Sequence, residues 1–262
     1  MYEWNPEDYQ QHSSAQECIA AGIISELKIK GNEHILDIGC GDGKVTSKLA
    51  SLVPQGQVLG IDSSKEMIDF SRKIFPLSDH ANLKFEHLNV LELEFESSFD
   101  LVTSFACLHW VKDHLAALKN VKRSLKPGGK LFIQCAGRSI NDDLAASGRE
   151  VIRSDKWKNY FRGFSSPYGT YSPEEYHAWL ALAGLEELRV EMTIEEMILP
   201  GRTGLEGFIR TTWLPITEQV PEELRSQLVW EISERHLKNH PLRDDLARIN
   251  MPVLLIEARK PQ

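Results

Sequence analysis

Asp37, Gly39, Gly41, Gly43 and Asp62 are the residues whose types and spacing point most directly to chemistry. The first four lie in His34-Ile35-Leu36-Asp37-Ile38-Gly39-Cys40-Gly41-Asp42-Gly43-Lys44-Val45-Thr46, an apolar strand pattern running into a glycine-punctuated turn and then a helix. Glycines there permit a tight turn at positive φ and let a ligand lie against bare main chain, beside the free N–H groups of a helix start. A dinucleotide turn, G-x-G-x-x-G, would need glycine at 44, where this chain has Lys44. Asp37, at the strand end, would repel a pyrophosphate and attract a cation. The turn therefore suits a positively charged ligand better than a phosphate.

Asp62 ends a second strand pattern, Val58-Leu59-Gly60-Ile61-Asp62, 25 positions after Asp37. A carboxylate there can accept hydrogen bonds on both oxygens. Ser63 and Glu66 have the spacing of a capping box, which predicts a helix beginning beside the ligand. A further strand covers 99–105, and Leu125-Lys126-Pro127-Gly128-Gly129-Lys130-Leu131-Phe132-Ile133 reads as helix end, turn and strand.

D-I-G-C-G-D-G, the acid at 62 and the two later motifs, in this order, resemble the class I methyltransferases that use S-adenosyl-L-methionine (SAM). The resemblance implies SAM as methyl donor, with S-adenosyl-L-homocysteine (SAH) as product. It assigns the ribose hydroxyls to Asp62 and places Tyr9, Gln16, Asp37, Gly39, Gly41, Ser63, Met67, Asn89, Val90 and Phe105 around the cofactor. Asn89 stands where the family usually has an aspartate near the adenine amino group, and its amide oxygen can still accept. Trp4-Asn5-Pro6-x-x-Tyr9 with Gln16 is similar to the start of trans-aconitate methyltransferases. Tyr9…Gln16 and Leu108-His109-Trp110-Val111 also resemble juvenile hormone acid methyltransferases, and 203–214 looks like the cap segment of both groups. The implied reaction is O-methylation of a carboxylic acid, with Trp110, Arg210 and Trp213 on the acceptor. Arg202, Arg138 and Arg153 are further cap arginines. A hydroxyl, amine or carbon acceptor with His109 as base is the alternative, and a SAM-binding module without transfer is another. An NAD-dependent oxidoreductase fits less well, given Lys44 and Asp37.

Strand and helix patterns alternate to about residue 135, which implies a doubly wound sheet with its ligand at the carboxyl ends of the strands. With the family's strands six and seven, the expectation is an α/β fold with a mostly parallel, seven-stranded, Rossmann-like sheet. Residues around 14–29 read as an additional helix. The expected core is 1–136, 183–199 and 249–262. Residues 137–182 and 200–248 would be helical insertions on either side of strand six, forming a substrate cap. Ser172-Pro173-Glu174-Glu175 is a helix start with proline at the first position, and others are expected near Thr203 and Pro221.

The 262 residues carry a net charge of −8, which argues against nucleic acid as main partner. No apolar run approaches the ~18 residues of a membrane span, and the acidic N-terminus does not read as a signal peptide. The four cysteines (18, 40, 107, 135) form neither C-x-x-C pairs nor a disulfide framework. The histidines are scattered, so no metal is expected. A cytoplasmic enzyme acting on a small molecule, as monomer or weak homodimer, is the expectation.

Overall fold

A computed structural model of the chain describes residues 6–7, 22–24, 27–139 and 142–262. Seven strands form one sheet: β1 (His34–Ile38), β2 (Gln57–Asp62), β3 (Leu83–His87), β4 (Phe99–Phe105), β5 (Leu125–Ala136), β6 (Glu186–Pro200) and β7 (Leu246–Arg259), in the order β3-β2-β1-β4-β5-β7-β6. The run from β3 to β5 is parallel, whereas β7 pairs antiparallel with β5, so the sheet is mixed. The chain leaves β1 toward β2 and β3 on one side and returns to β4 and β5 on the other. That reversal opens a crevice at the carboxyl ends of β1 and β4.

Two compact groups of residues are distinguishable, and one comprises the described residues within 16–138, 168–193 and 253–262. Alternation along β1 sends Leu36 and Ile38 into one apolar layer, with Val121 and Leu180, and Ile35 into another, with Leu49 and Val58. Full burial of each such aliphatic side chain contributes about 1.5–3 kcal/mol. The longer helices of this group among the described residues are α1 (Lys44–Leu52), α2 (Lys65–Ile74), α3 (His114–Ser124) and α5 (Pro173–Ala183). Asp113 caps α3 by accepting the Ala116 N–H at 2.9 Å, and Lys122 and Arg123 sit in its last turn, complementing the dipole. At α5 the Ser172 N–H donates to the Glu175 carboxylate at 2.8 Å, and Gly184, at φ 71°, ends the helix in left-handed geometry.

The other group comprises the described residues within 1–15, 139–167 and 194–252, and its longer helices among them are α4 (Asp143–Ile152), α6 (Gly201–Thr212), α7 (Leu214–Thr217) and α8 (Glu222–Asn239). Helix α8 packs on α4 and α6. Trp157 is fully buried and donates its indole N–H to Glu231 at 2.6 Å. A Cβ on Gly148 would lie 2.5 Å from the Trp213 ring, so that glycine is what lets Trp213 pack against α4. Helix α6 starts at Gly201, two residues before the expected Thr203. No helix among the described residues is long and apolar enough to cross a membrane. The helix expected over 14–29 lies largely outside the described residues, although 22–24 are helical and Ile24 is buried.

Candidate active site

The turns after β1 and β4 meet at the crevice. Gly39, at φ 76°, donates its N–H to Ile61 O at 2.8 Å, and a Cβ there would lie 2.1 Å from Cys107 Sγ. Gly41 also has positive φ, and its N–H donates to Asp62 Oδ2 at 3.0 Å. Gly43, at φ 84°, caps α1 and packs so tightly that a Cβ would meet the Phe85 ring at 2.9 Å. Only glycine combines these φ values with such close approach.

Asp37 is 2 % exposed and in register with Thr103 of β4, so both side chains face α1. It accepts the hydroxyls of Thr46 at 2.7 Å and Thr103 at 2.8 Å. Burial pushes its carboxyl up to about 6 against those hydrogen bonds, and the neighbouring Asp62 charge adds to the rise. The acid is solvated by two neutral hydroxyls, and a cationic ligand would stabilise its charged form.

Asp62 closes β2 half-buried. Its Oδ1 accepts the Ser64 N–H at 2.8 Å and its Oδ2 the Gly41 N–H. Burial holds it above the usual carboxylate range despite both bonds. A carboxylate offers about four lone-pair positions, so each oxygen can still accept a ribose hydroxyl. The glycine cradle, the capacity left on Asp62 and the buried anion at Asp37 together fit SAM, which carries a vicinal diol, an ammonium and a sulfonium.

The remaining expected cofactor residues distribute as follows. The helix cap is Ser64 rather than Ser63: its Oγ accepts the Met67 N–H at 3.2 Å and donates to Glu66 at 2.8 Å. The Asp62 carboxylate causes the shift by binding the Ser64 N–H, while exposed Ser63 offers its carbonyl to His87 Nε2 at 3.0 Å. Met67 is 3 % exposed in the first turn of α2. Asn89 caps a 3-10 turn over Val90–Glu92, its Oδ1 accepting the Leu91 N–H at 3.0 Å, which leaves one lone pair on that oxygen. Val90 is buried in the core, and Phe105, at the end of β4, packs on Phe132 with ring centroids 5.9 Å apart. Tyr9 and Gln16 lie outside the described residues.

A 3-10 turn over Leu108–Trp110 follows β4. His109 Nδ1 accepts the Ala136 N–H at 3.4 Å, and its carbonyl accepts the Gly169 N–H at 2.7 Å. Burial drives its pKa down to about 4, so the ring is neutral at pH 7, with its proton on Nε2. Trp110 and Tyr168 pack edge to face at 4.8 Å. Arg210 is exposed in the last turn of α6. Arg138 pairs with Glu175 at 2.5 Å, and Arg202 with Glu234. Thr46, Thr103, Ala106 and Gln134 were not expected at the site. Thr46 faces Asp37 nine residues on, a spacing readable once strand, turn and helix are assigned; the others depend on strand register.

A methyltransferase-domain family model matches residues 29–184. The chain is 30 % identical over 218 residues to a trans-aconitate 2-methyltransferase of Deinococcus radiodurans, covering 80 % of this chain and 81 % of that one. It is 28 % identical over 239 residues to the juvenile hormone acid O-methyltransferase of Drosophila melanogaster, covering 84 % and 78 %. Among solved structures, the YcgJ protein of Bacillus subtilis superposes with a TM-score of 0.63 at 16 % identity, covering 94 % of this chain and 99 % of that one. Phosphoethanolamine N-methyltransferase 2 of Haemonchus contortus, in complex with SAM, superposes with a TM-score of 0.61 at 24 % identity, covering 94 % and 53 %. The cradle after β1 thus belongs to an enzyme whose methyl donor is SAM, and the chain is a member of the class I SAM-dependent methyltransferases, in the group of the trans-aconitate and juvenile hormone acid enzymes.

Proposed function

We propose that the methyl acceptor is a small carboxylic acid and that the product is its methyl ester. The observation that carries this reading is the state of His109. With Nδ1 accepting the Ala136 N–H, the neutral ring presents a donor at Nε2, not a free lone pair that could take a proton. Bound SAM supplies an electrophilic methyl group on a sulfonium centre. An ionised carboxylate attacks it without losing a proton, whereas an alcohol or an ammonium needs a base. The residues then have only to align the acceptor, and alignment alone can lower a barrier by about 7–11 kcal/mol. Two of the relatives, one from a bacterium and one from an insect, carry acid-methylating names, which supports the same class.

In this reading Asp62 holds the ribose, Gly39 and Gly41 let the cofactor approach the main chain, and Asp37 balances its positive charge. Tyr9, Gln16, Ser63, Met67, Asn89, Val90 and Phe105 complete the cofactor site. Trp110, Arg210 and Trp213 bind the acceptor, Arg210 by gripping a second acidic or polar group rather than the reacting carboxylate. Residues 137–182 and 200–248 act as the helical cap, and the enzyme works in the cytoplasm as a monomer or weak homodimer. A pH–rate profile tests the acceptor class. For an acid, kcat/KM measured at saturating SAM is flat from about pH 6 to 9, because the reacting carboxylate is already ionised throughout that window and needs no base. A rise through that window would mark a base-assisted acceptor and sink the reading.

A further inference from the structure

Two side chains at the carboxyl ends of β4 and β5 have their orientation set by the same device. Gln134 is 6 % exposed, and its Oε1 accepts the Ala106 N–H at 3.0 Å. That bond assigns the amide, because an N–H must face the oxygen, so the two Nε2 hydrogens point elsewhere. His109 is set likewise by the Ala136 N–H on Nδ1, which leaves its proton on Nε2. Ala106 links the two. Its N–H also reaches Gln134 O at 2.8 Å, the last rung of the parallel ladder. The next rung would bring the Ala136 N–H to the Ala106 carbonyl, but Ala106 turns left-handed at φ 49° and removes that acceptor. His109 takes its place.

A non-glycine residue in this conformation costs about 1–2 kcal/mol, and such strain persists where the surroundings over-determine it. Neither Nε2 is hydrogen-bonded to a described residue.

We propose that Gln134 Nε2 and His109 Nε2 form a pair of neutral N–H donors that receives the acceptor's carboxylate and selects it over amines and alcohols. This rests on the carboxylic-acid reading above. An ionised carboxylate only accepts hydrogen bonds, so a donor-only pair is complementary to it. An amine or alcohol that must shed a proton finds no acceptor there. Neutral donors also orient the carboxylate without the full charge of an arginine fork, which would hold its electron pair too tightly. In the transfer, one carboxylate oxygen gives that pair to the methyl carbon as the carbon–sulfur bond breaks. The sulfonium charge is cancelled, and no proton leaves.

The test is calorimetric binding of trans-aconitate and of a straight-chain fatty acid to the SAH-loaded enzyme, with SAM affinity and the melting temperature of each variant alongside. Gln134→Glu keeps an oxygen for the Ala106 N–H and replaces the donor with a negative charge. It is expected to weaken the bound acid about tenfold to a hundredfold, with SAM affinity retained. His109→Phe is expected to do the same. His109→Gln, which offers an amide oxygen to Ala136 and an N–H to the acid but cannot act as a base, is expected to restore most of the affinity. Unchanged acid affinity in a folded, SAM-binding Gln134→Glu variant would overturn the donor pair. If that variant does not fold, the two His109 variants decide: equal acid affinity in both overturns the pair. Wild-type enzyme that binds neither acid but turns over an amine overturns the carboxylic-acid reading itself, which separates the two failures.

Discussion

Replacing Asp37 with asparagine should stabilise the cofactor-free protein and weaken SAM binding at the same time. The buried carboxyl is raised from its ordinary value near 3.8 to about 6. Two units correspond to about 3 kcal/mol of folding free energy lost at pH 7 to keep it ionised. The folded pKa is the higher one, so the penalty is present in full above about pH 6. It fades as pH falls toward 3.8, where folded and unfolded chains are both protonated. Asp37→Asn removes the charge and keeps the shape, and the Thr46 and Thr103 hydroxyls can turn to accept the amide. The melting temperature of the cofactor-free variant is expected to rise by as much as about 6–12 °C at pH 7.5. At pH 4 the gain should shrink to less than about a quarter of that.

SAM binding moves the other way. An opposite charge close to a carboxylate changes its pKa by about 1–3 units, and by linkage the carboxylate contributes the same factor, about 10- to 1,000-fold, to cation affinity. Scanning calorimetry at the two pH values and titration with SAM read both effects. A variant that melts lower than wild type at pH 7.5, or that binds SAM as tightly, would refute the assignment of Asp37 as an unneutralised anion held for a cation.

Three further substitutions probe the site. Asp62→Ala removes charge-assisted hydrogen bonds worth about 1.5–3 kcal/mol and should raise the SAM Kd about ten- to a hundredfold; an unchanged Kd in a folded variant moves the ribose elsewhere. Gly39→Ala places a methyl 2.1 Å from Cys107 Sγ at positive φ, so denaturant titration should show a loss of about 2–4 kcal/mol. A variant as stable as wild type would refute that close approach. Arg210→Ala should raise the acceptor KM and leave SAM affinity alone, and the reverse pattern would take Arg210 out of the acceptor site.

The cofactor half of the site was legible in the sequence because its signals are local. Glycines at 39, 41 and 43 are required by φ values that few other residues adopt, and Asp37 and Asp62 each end a strand. The register of the α2 cap was not legible to the residue. Ser63 and Ser64 are chemically equivalent choices, and the decision falls to the Asp62 carboxylate, which binds the Ser64 N–H. The antiparallel pairing of β7 with β5 was not legible, because nothing in Met251–Ala258 encodes direction.

The acceptor half was legible only as residue types. His109 could be read as a possible base, because the choice of which nitrogen carries the proton depends on Ala136, 27 positions away. Gln134 and Ala106 gave no signal. A glutamine in a strand is ordinary, and positive φ at an alanine leaves no trace in composition. Their roles arise from the register of β4 on β5, which exists only after folding.

The carboxylic-acid assignment is tested most directly by incubating the enzyme with SAM and a panel of polycarboxylic, isoprenoid and fatty acids, following SAH release and identifying the product by mass spectrometry. The expected result is turnover of one acid class, with a product heavier by one methylene and cleaved back to the acid by mild alkali, as a methyl ester is. Tight SAM binding with no ester from any acid, together with SAH release on an amine or alcohol, would contradict it.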